Sequence, residues 1–351
     1  MALFRRTPVG RSPGRQQAAA ITAFWTWWGE RGAGETAAAI QQGEPERTVD
    51  AMSRHVQAID KGLAWELNAG SVGRHVLVVS SEGNPQLRPV ARRWRLAAPP
   101  ADDVWEYSDT RLPARDPAGT QFTIGDVRLD LAAATVFAMV NGATVDVSVH
   151  HPAFASIPEQ ARTLATFLML DTVLGEAAVE TWIGTVEPST IAALDPVPLT
   201  GLRTVVRELT QRFTDGAGRP VWMALEGQAQ DGSKVVAGVQ VPLRAATAPH
   251  LDTYAGMVIP FTDSTPDGLP TEDSLRALAD LQRHLAERLG DSGRVVAHET
   301  SRGFRILHTY LDGTTPAAEQ LRVAVGGWQQ GSVQLSVAPD PGWTRVEHLR
   351  V

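Results

Sequence analysis

From Gly256 to Val351 the chain reads as strand, amphipathic helix, hairpin, short helix and strand, and that order admits few folds. Residues 257–261 form an apolar strand run, and Gly268-Leu269-Pro270 turns the chain into a helix. Thr271 suits the N-cap, and Glu272 and Asp273 complement the positive end of the helix dipole. Leu278, Leu281, Leu285 and Leu289 then recur at helical spacing as one buried stripe, and Gly290 ends it. Two strands flank Ser301-Arg302-Gly303, a short helix covers 316–325, and a strand over 332–337 closes the pattern. Hairpins alternating with single helices predict antiparallel or mixed sheets covered by helices, an α+β fold with a ferredoxin-like C-terminal part.

The same alternation runs through the rest of the chain. Ile21, Phe24, Trp25 and Trp28 place a helix over 16–30, with Trp27 off that stripe and available to a partner or a second domain. The Gly- and Ala-rich segment that follows breaks or loosens the helix, and a second helix follows Pro45. Strands are expected over 63–67, 75–80, 104–107 and 122–129, with a helix through Val90 and Trp94. Asn141-Gly142 turns one strand, 135–140, into another, 144–149. Ser156-Ile157-Pro158-Glu159 has the form of a capping box and opens a helix that ends at Gly175. A strand over 178–186, a helix over 199–213 and a hairpin of strands 221–228 and 234–241 around Asp231-Gly232 complete the reading. Residues 1–17 read as a disordered tail, and Asp215-Gly216-Ala217-Gly218 as the boundary between two α+β domains, 18–208 and 215–351.

With no cysteine, the chain has no thiol nucleophile, disulfide, zinc-thiolate or iron–sulfur chemistry. Only Lys61 and Lys234 are lysines, so nearly all the positive charge is arginine, a skew typical of a GC-rich bacterial genome. A formal charge of −7 argues against a nucleic-acid partner. No apolar run approaches the ~18–20 residues that span a bilayer, and the basic N-terminus lacks the apolar block of a secretory signal. These features place the protein in the cytoplasm, away from membranes, with neither cofactor nor metal expected.

The stretch 221–343 resembles a bacterial family, domain-of-unknown-function family 695, through Gly268-Leu269-Pro270, the helix over 273–289, Gly303-Phe304-Arg305 and Asp340-Pro341-Gly342-Trp343. Part of the pattern is also similar to the regulators of ribonuclease E activity B, small α+β inhibitor proteins. The N-terminal half is similar to uncharacterised bacterial proteins marked by a helix ending as in Leu170-Asp171-Thr172-Val173-Leu174-Gly175-Glu176. These resemblances imply a fold and carry over no catalytic residue.

Asp171 is spaced i+3, i+4 and i+7 from Leu168, Phe167 and Leu164, which sets a carboxylate on an apolar stripe where burial would raise its pKa. Glu176 follows it, and His150-His151 precede the same helix, so Asp171, Glu176 and His150 are the candidate catalytic residues of a hydrolase-type site. The competing reading is structural, with Asp171 accepting bonds near a helix end. His298 and His308 read as cross-strand neighbours with Glu299 beside them, and Trp343 as a structural plug. Gly290-Asp291-Ser292-Gly293 reads as a turn, although it has the form of a serine-protease nucleophile loop. The leading expectation is a non-enzymatic interaction or regulatory protein that holds another protein. A hydrolase or a small-ligand sensor is the alternative.

Overall fold

The computed structural model describes residues 13–351 and divides at Thr110/Arg111 into two compact units. The fold is α+β, with both parallel and antiparallel strand pairs. Most of the expected N-terminal tail lies outside the described residues, but 13–17 are helical, because the first helix begins at Pro13.

In the first unit, α1 (Pro13–Trp27) passes through a π-turn at Trp28–Gly32 into α2 (Ala33–Gln41), so the helical winding loosens there without breaking. After α3 (Val49–Ile59), β1 (Ala64–Ala69) pairs antiparallel with β2 (His75–Ser80). From β2, α4 (Arg88–Leu96) crosses to β3 (Trp105–Ser108), which pairs parallel with it. Phe24, Trp28, Met52, Leu77, Trp94 and Trp105 fill the core. Trp27 is not free for a partner: it is 9% exposed and stacks on His55 with ring centroids 4.0 Å apart.

The second unit opens with a hairpin, β4 (Gln121–Ile124) and β5 (Val127–Asp130), where one continuous strand was expected. Gly125 at φ 59° makes the turn. Next come β6 (Thr135–Asn141), β7 (Thr144–His150), α5 (Glu159–Leu174), α6 (Glu176–Trp182), β8 (Ile183–Ser189), β9 (Val197–Pro198) and α7 (Leu202–Phe213). The sheet order is β8-β7-β6-β9. Ser156 lies in a 3-10 turn and makes no cap, so the expected capping box does not form and α5 starts behind Pro158. Residues 178–182, expected as strand, are helical: they continue α6, which buries Val179 and Trp182.

Six strands build the largest sheet: β10 (Val221–Gln228), β11 (Lys234–Val241), β12 (Thr253–Pro260), β13 (Gly293–Ser301), β14 (Phe304–Leu311) and β15 (Gln334–Pro339). Two helices, α8 (Glu272–Leu289) and α9 (Ala317–Val325), connect them. The order β10-β11-β13-β14-β12-β15 is antiparallel throughout. Met257, Ile259, Leu307 and Leu311 pack under α8 and α9. Tyr254, Ala297 and Tyr310 leave the strands on the other face and join a core shared with β6, β7 and α5–α7.

That shared core removes the expected boundary beside Asp215. Leu202, Val206, Leu209 and Phe213 of α7 belong to the same buried cluster as Val239, Val241 and Trp343. The polar stretch is an ordered turn, in which the Asp215 carboxylate accepts the Ala217 and Arg219 N–H groups at 2.9 Å each. A Gly/Asp sequence signals a turn as readily as a linker, and here buried apolar surface on both sides settles which.

Candidate functional site

Strand register brings together the polar groups of the six-stranded sheet. Gly256 faces His308, which faces Ala297; one step along, Val258 faces Ile306, which faces Glu299. Side chains two residues apart share a face, so Tyr254, Val258, Ile306, His308 and Tyr310 line one side. Glu299 joins them there, since His308 Nε2 lies 2.9 Å from its Oε1. The Tyr254 hydroxyl is 2.9 Å from His308 Nδ1. Gly256 makes this geometry possible: a Cβ at that position would sit 2.5 Å from the Tyr254 hydroxyl. With a neutral imidazole, Nε2–H donates to Glu299 and Nδ1 accepts the phenol proton, a phenol–imidazole–carboxylate chain.

The C-terminal 3-10 turn, Thr344–Leu349, closes one end of this face. Val346 and Leu349 anchor it in the core, and His348 Nε2 approaches the same Glu299 Oε1 at 3.1 Å. Asp340 fixes where the turn starts. Its carboxylate accepts the Tyr310 hydroxyl at 2.6 Å, the Thr344 N–H and hydroxyl, and the Arg345 N–H. Burial opposes ionisation of Asp340, but those donors outweigh it and hold its pKa below the usual carboxylate value. Trp343 is the plug that its sequence context suggests, stacked on Tyr310 at 4.4 Å with its indole N–H on the Leu251 carbonyl.

Beyond Glu299 the same face opens into a cleft of about 450 Å³, floored by Val235, Val258, Phe304 and Ile306. Phe304 is 48% exposed. Glu299, its side chain 23% exposed, is part of the lining. The hydrogen bond from His308, supported by the one from His348, overcomes burial and draws the Glu299 carboxyl down to about 2. Both imidazoles use Oε1; among the described residues Oε2 accepts no hydrogen bond. The arrangement is therefore a carboxylate held in its ionised form with one oxygen uncommitted, at a cleft whose apolar floor is bordered by Thr300, Ser301 and Arg302. Tyr254 is a poor proton source by comparison, because burial raises its pKa.

The expected site around α5 is arranged differently. Buried residues on α5 are Ala165, Thr166, Met169, Leu170, Val173 and Leu174, whereas Leu164 and Phe167 are exposed, so Asp171 does not lie on the buried stripe. Arg111 is what Asp171 and Glu176 share: its guanidinium is 3.9 Å from Asp171 Oδ2, and its backbone N–H donates to Glu176 Oε2 at 2.9 Å. His150 sits elsewhere, with Nδ1 3.0 Å from the Ser189 carbonyl oxygen. His151 is buried, bonded to the Asp130 carbonyl and to the Ala153 N–H. No group of three His, Cys, Asp or Glu side chains that could hold a metal occurs among the described residues. Residues 290–292 form the expected turn.

His298 and His308 are not cross-strand partners: His308 faces Ala297, and His298 faces Leu307 and Gly238. Nothing in the sequence pattern marks Tyr254 or His348. The one signal for the site was polar His308 between Ile306 and Tyr310 in an otherwise apolar alternation. No protein-family model matches the chain, and no curated protein matches it.

Proposed function

We propose that this protein acts by binding another protein, and that the cleft beside Glu299 takes an apolar segment of the partner carrying an arginine or lysine. The observation that supports this is the ionised Glu299, fixed through one oxygen by His308 and His348 beside an apolar floor. Hydrophobic contact supplies affinity, and a carboxylate in such surroundings selects a cation over a neutral group of the same shape. A regulatory role suits a chain whose most organised polar cluster is a recognition surface.

The hydrolase alternative has less support, because Asp171 and Glu176 gather around Arg111 while His150 is bonded at Ser189. We read 253–339 as ferredoxin-like, since its βαββαβ succession carries the strand order β13-β14-β12-β15. Cysteine-free composition and net negative charge are in keeping with a cytoplasmic bacterial protein that binds no nucleic acid. No helix among the described residues is long and apolar enough to cross a membrane.

Calorimetric titration of the full chain with N-acetyl-leucyl-arginine amide and its citrulline analogue tests the reading. Saturable binding of the arginine compound, weakened about tenfold by citrulline or by Glu299→Gln, is expected. Equal binding of both compounds, or no effect of Glu299→Gln, overturns it.

A further inference from the structure

The α8 side of the six-stranded sheet buries a cation that no carboxylate among the described residues neutralises. Arg305 faces Thr300 on β13 and Ile259 on β12. Ile259 packs in the core under α8 and α9, so Arg305 leaves β14 on that side. It is 6% exposed, and its Nε donates to the Thr300 hydroxyl at 2.9 Å. Its two Nη groups have neither a hydrogen bond nor an ion pair among the described residues, and they are not sealed from solvent. Burial alone draws the guanidinium pKa down to about 10, with no carboxylate near enough to oppose it.

His298 shares this side, because its strand partner Leu307 belongs to the same core. Its Nδ1 is buried with no hydrogen-bond partner, and the groups that act on the ring, Arg305 and His308, are cationic when charged. The imidazole stacks on half-exposed Trp222, and Trp222 borders a groove of about 550 Å³ beside α8, so this corner of the sheet is open to solutes. The acids around it are engaged elsewhere: Glu272 and Asp273 by Arg276, Asp280 by Arg283, and Glu226, three strands away in the row of Arg305, by Lys234. Thr300 adds a donor, since its oxygen accepts from Arg305 and its hydroxyl proton is left for another acceptor. A buried guanidinium without a counter-charge is costly, and its planar fork suits two oxygens of one anion.

We propose that this corner is an oxyanion site, in which the Arg305 Nη groups hold two oxygens of a phosphate or sulfate and Thr300 and His298 donate to the others. It lies across the sheet from the Glu299 cleft and does not depend on the function argued for that cleft.

Thermal unfolding of the full chain is followed while inorganic phosphate or sulfate replaces chloride at constant ionic strength and near-neutral pH, with the His298 ring observed by NMR in the same series. A saturable rise in Tm, half complete below about 10 mM, and a shift of the His298 resonances with the same midpoint are expected. Arg305→Met, which keeps the length and removes the charge, should abolish both responses, and Thr300→Val should weaken binding by about threefold or more. Glu299→Gln should leave binding unchanged. A response to phosphate and sulfate no larger than to chloride overturns the proposal, as does one that leaves His298 unmoved or survives in Arg305→Met. Should Arg305→Met fail to fold, Thr300→Val decides, and an unaltered response in that variant overturns the proposal equally.

Discussion

His298 and Glu299 are consecutive on β13 and leave it on opposite faces: the imidazole lies against Trp222, and the carboxylate accepts from His308. One strand thus separates a groove lined by Trp222 and Arg283 from a cleft lined by Glu299 and Arg302. Their titrations are displaced in ways that distinguish them.

Burial, with Arg305 nearby, lowers the His298 pKa from 6.5 to about 4. The folded state then holds fewer protons than the unfolded state between those values, so stability falls as the pH drops from about 6.5 to about 4. A pH series of urea unfolding should show this loss, and His298→Gln should flatten it. The His298 ring resonances should titrate near 4 by NMR; a midpoint near 6.5 would contradict the burial argument.

Glu299 acts at lower pH. Its folded pKa of about 2 lies below the ordinary 4.5, so its contribution is full above 4.5 and is lost as the pH falls toward 2. In Glu299→Gln the acid limb of the stability curve should be shallower over that interval. Unaltered acid sensitivity would mean that the two imidazoles do not hold the carboxylate as described.

Gly256→Ala places a methyl group 2.5 Å from the Tyr254 hydroxyl. The phenol must move off His308, and the variant should lose about 1–3 kcal/mol. Tyr254→Phe removes the same hydrogen bond without the clash and should cost only about 0.5–1.5 kcal/mol, so chemical denaturation of the pair separates strain from bonding.

The core shared across residue 215 has its own test. Leu209 of α7 is 4% exposed and belongs to the cluster that contains Val239 and Val241. Leu209→Ala should cost about 2–5 kcal/mol and lower amide-exchange protection in β11 as well as in α7. Protection lost from α7 alone would restore the boundary to 215.

Much of the fold was legible because local signals and burial agreed. The apolar runs at 221–228 and 234–241, either side of Asp231-Gly232, match β10 and β11 residue for residue, and the leucine stripe of 278–289 is the buried face of α8. Where local signals were ambiguous, tertiary context decided. Leu164, Phe167 and Asp171 share a helical face, but the neighbouring face of α5, through Met169 and Val173, is the one that packs. The candidate site was hidden for a related reason: Tyr254, Glu299, His308 and His348 come from three strands and a terminal turn, and register that no local window contains brings them together.

The π-turn at Trp28–Gly32 makes the first helix intolerant of changes in length. Trp27 and Trp28 are both buried around it, and a Cβ on Gly32 would come within 2.9 Å of the Trp27 ring. A residue inserted beside the wide turn and wound as ordinary α-helix would rotate everything before it by about 100°. Ile21 and Phe24 would leave the core together. Homologous chains should therefore accept substitutions along this helix far more readily than a further single-residue insertion beside the turn, which acts as a reading-frame lock on the segment that precedes it.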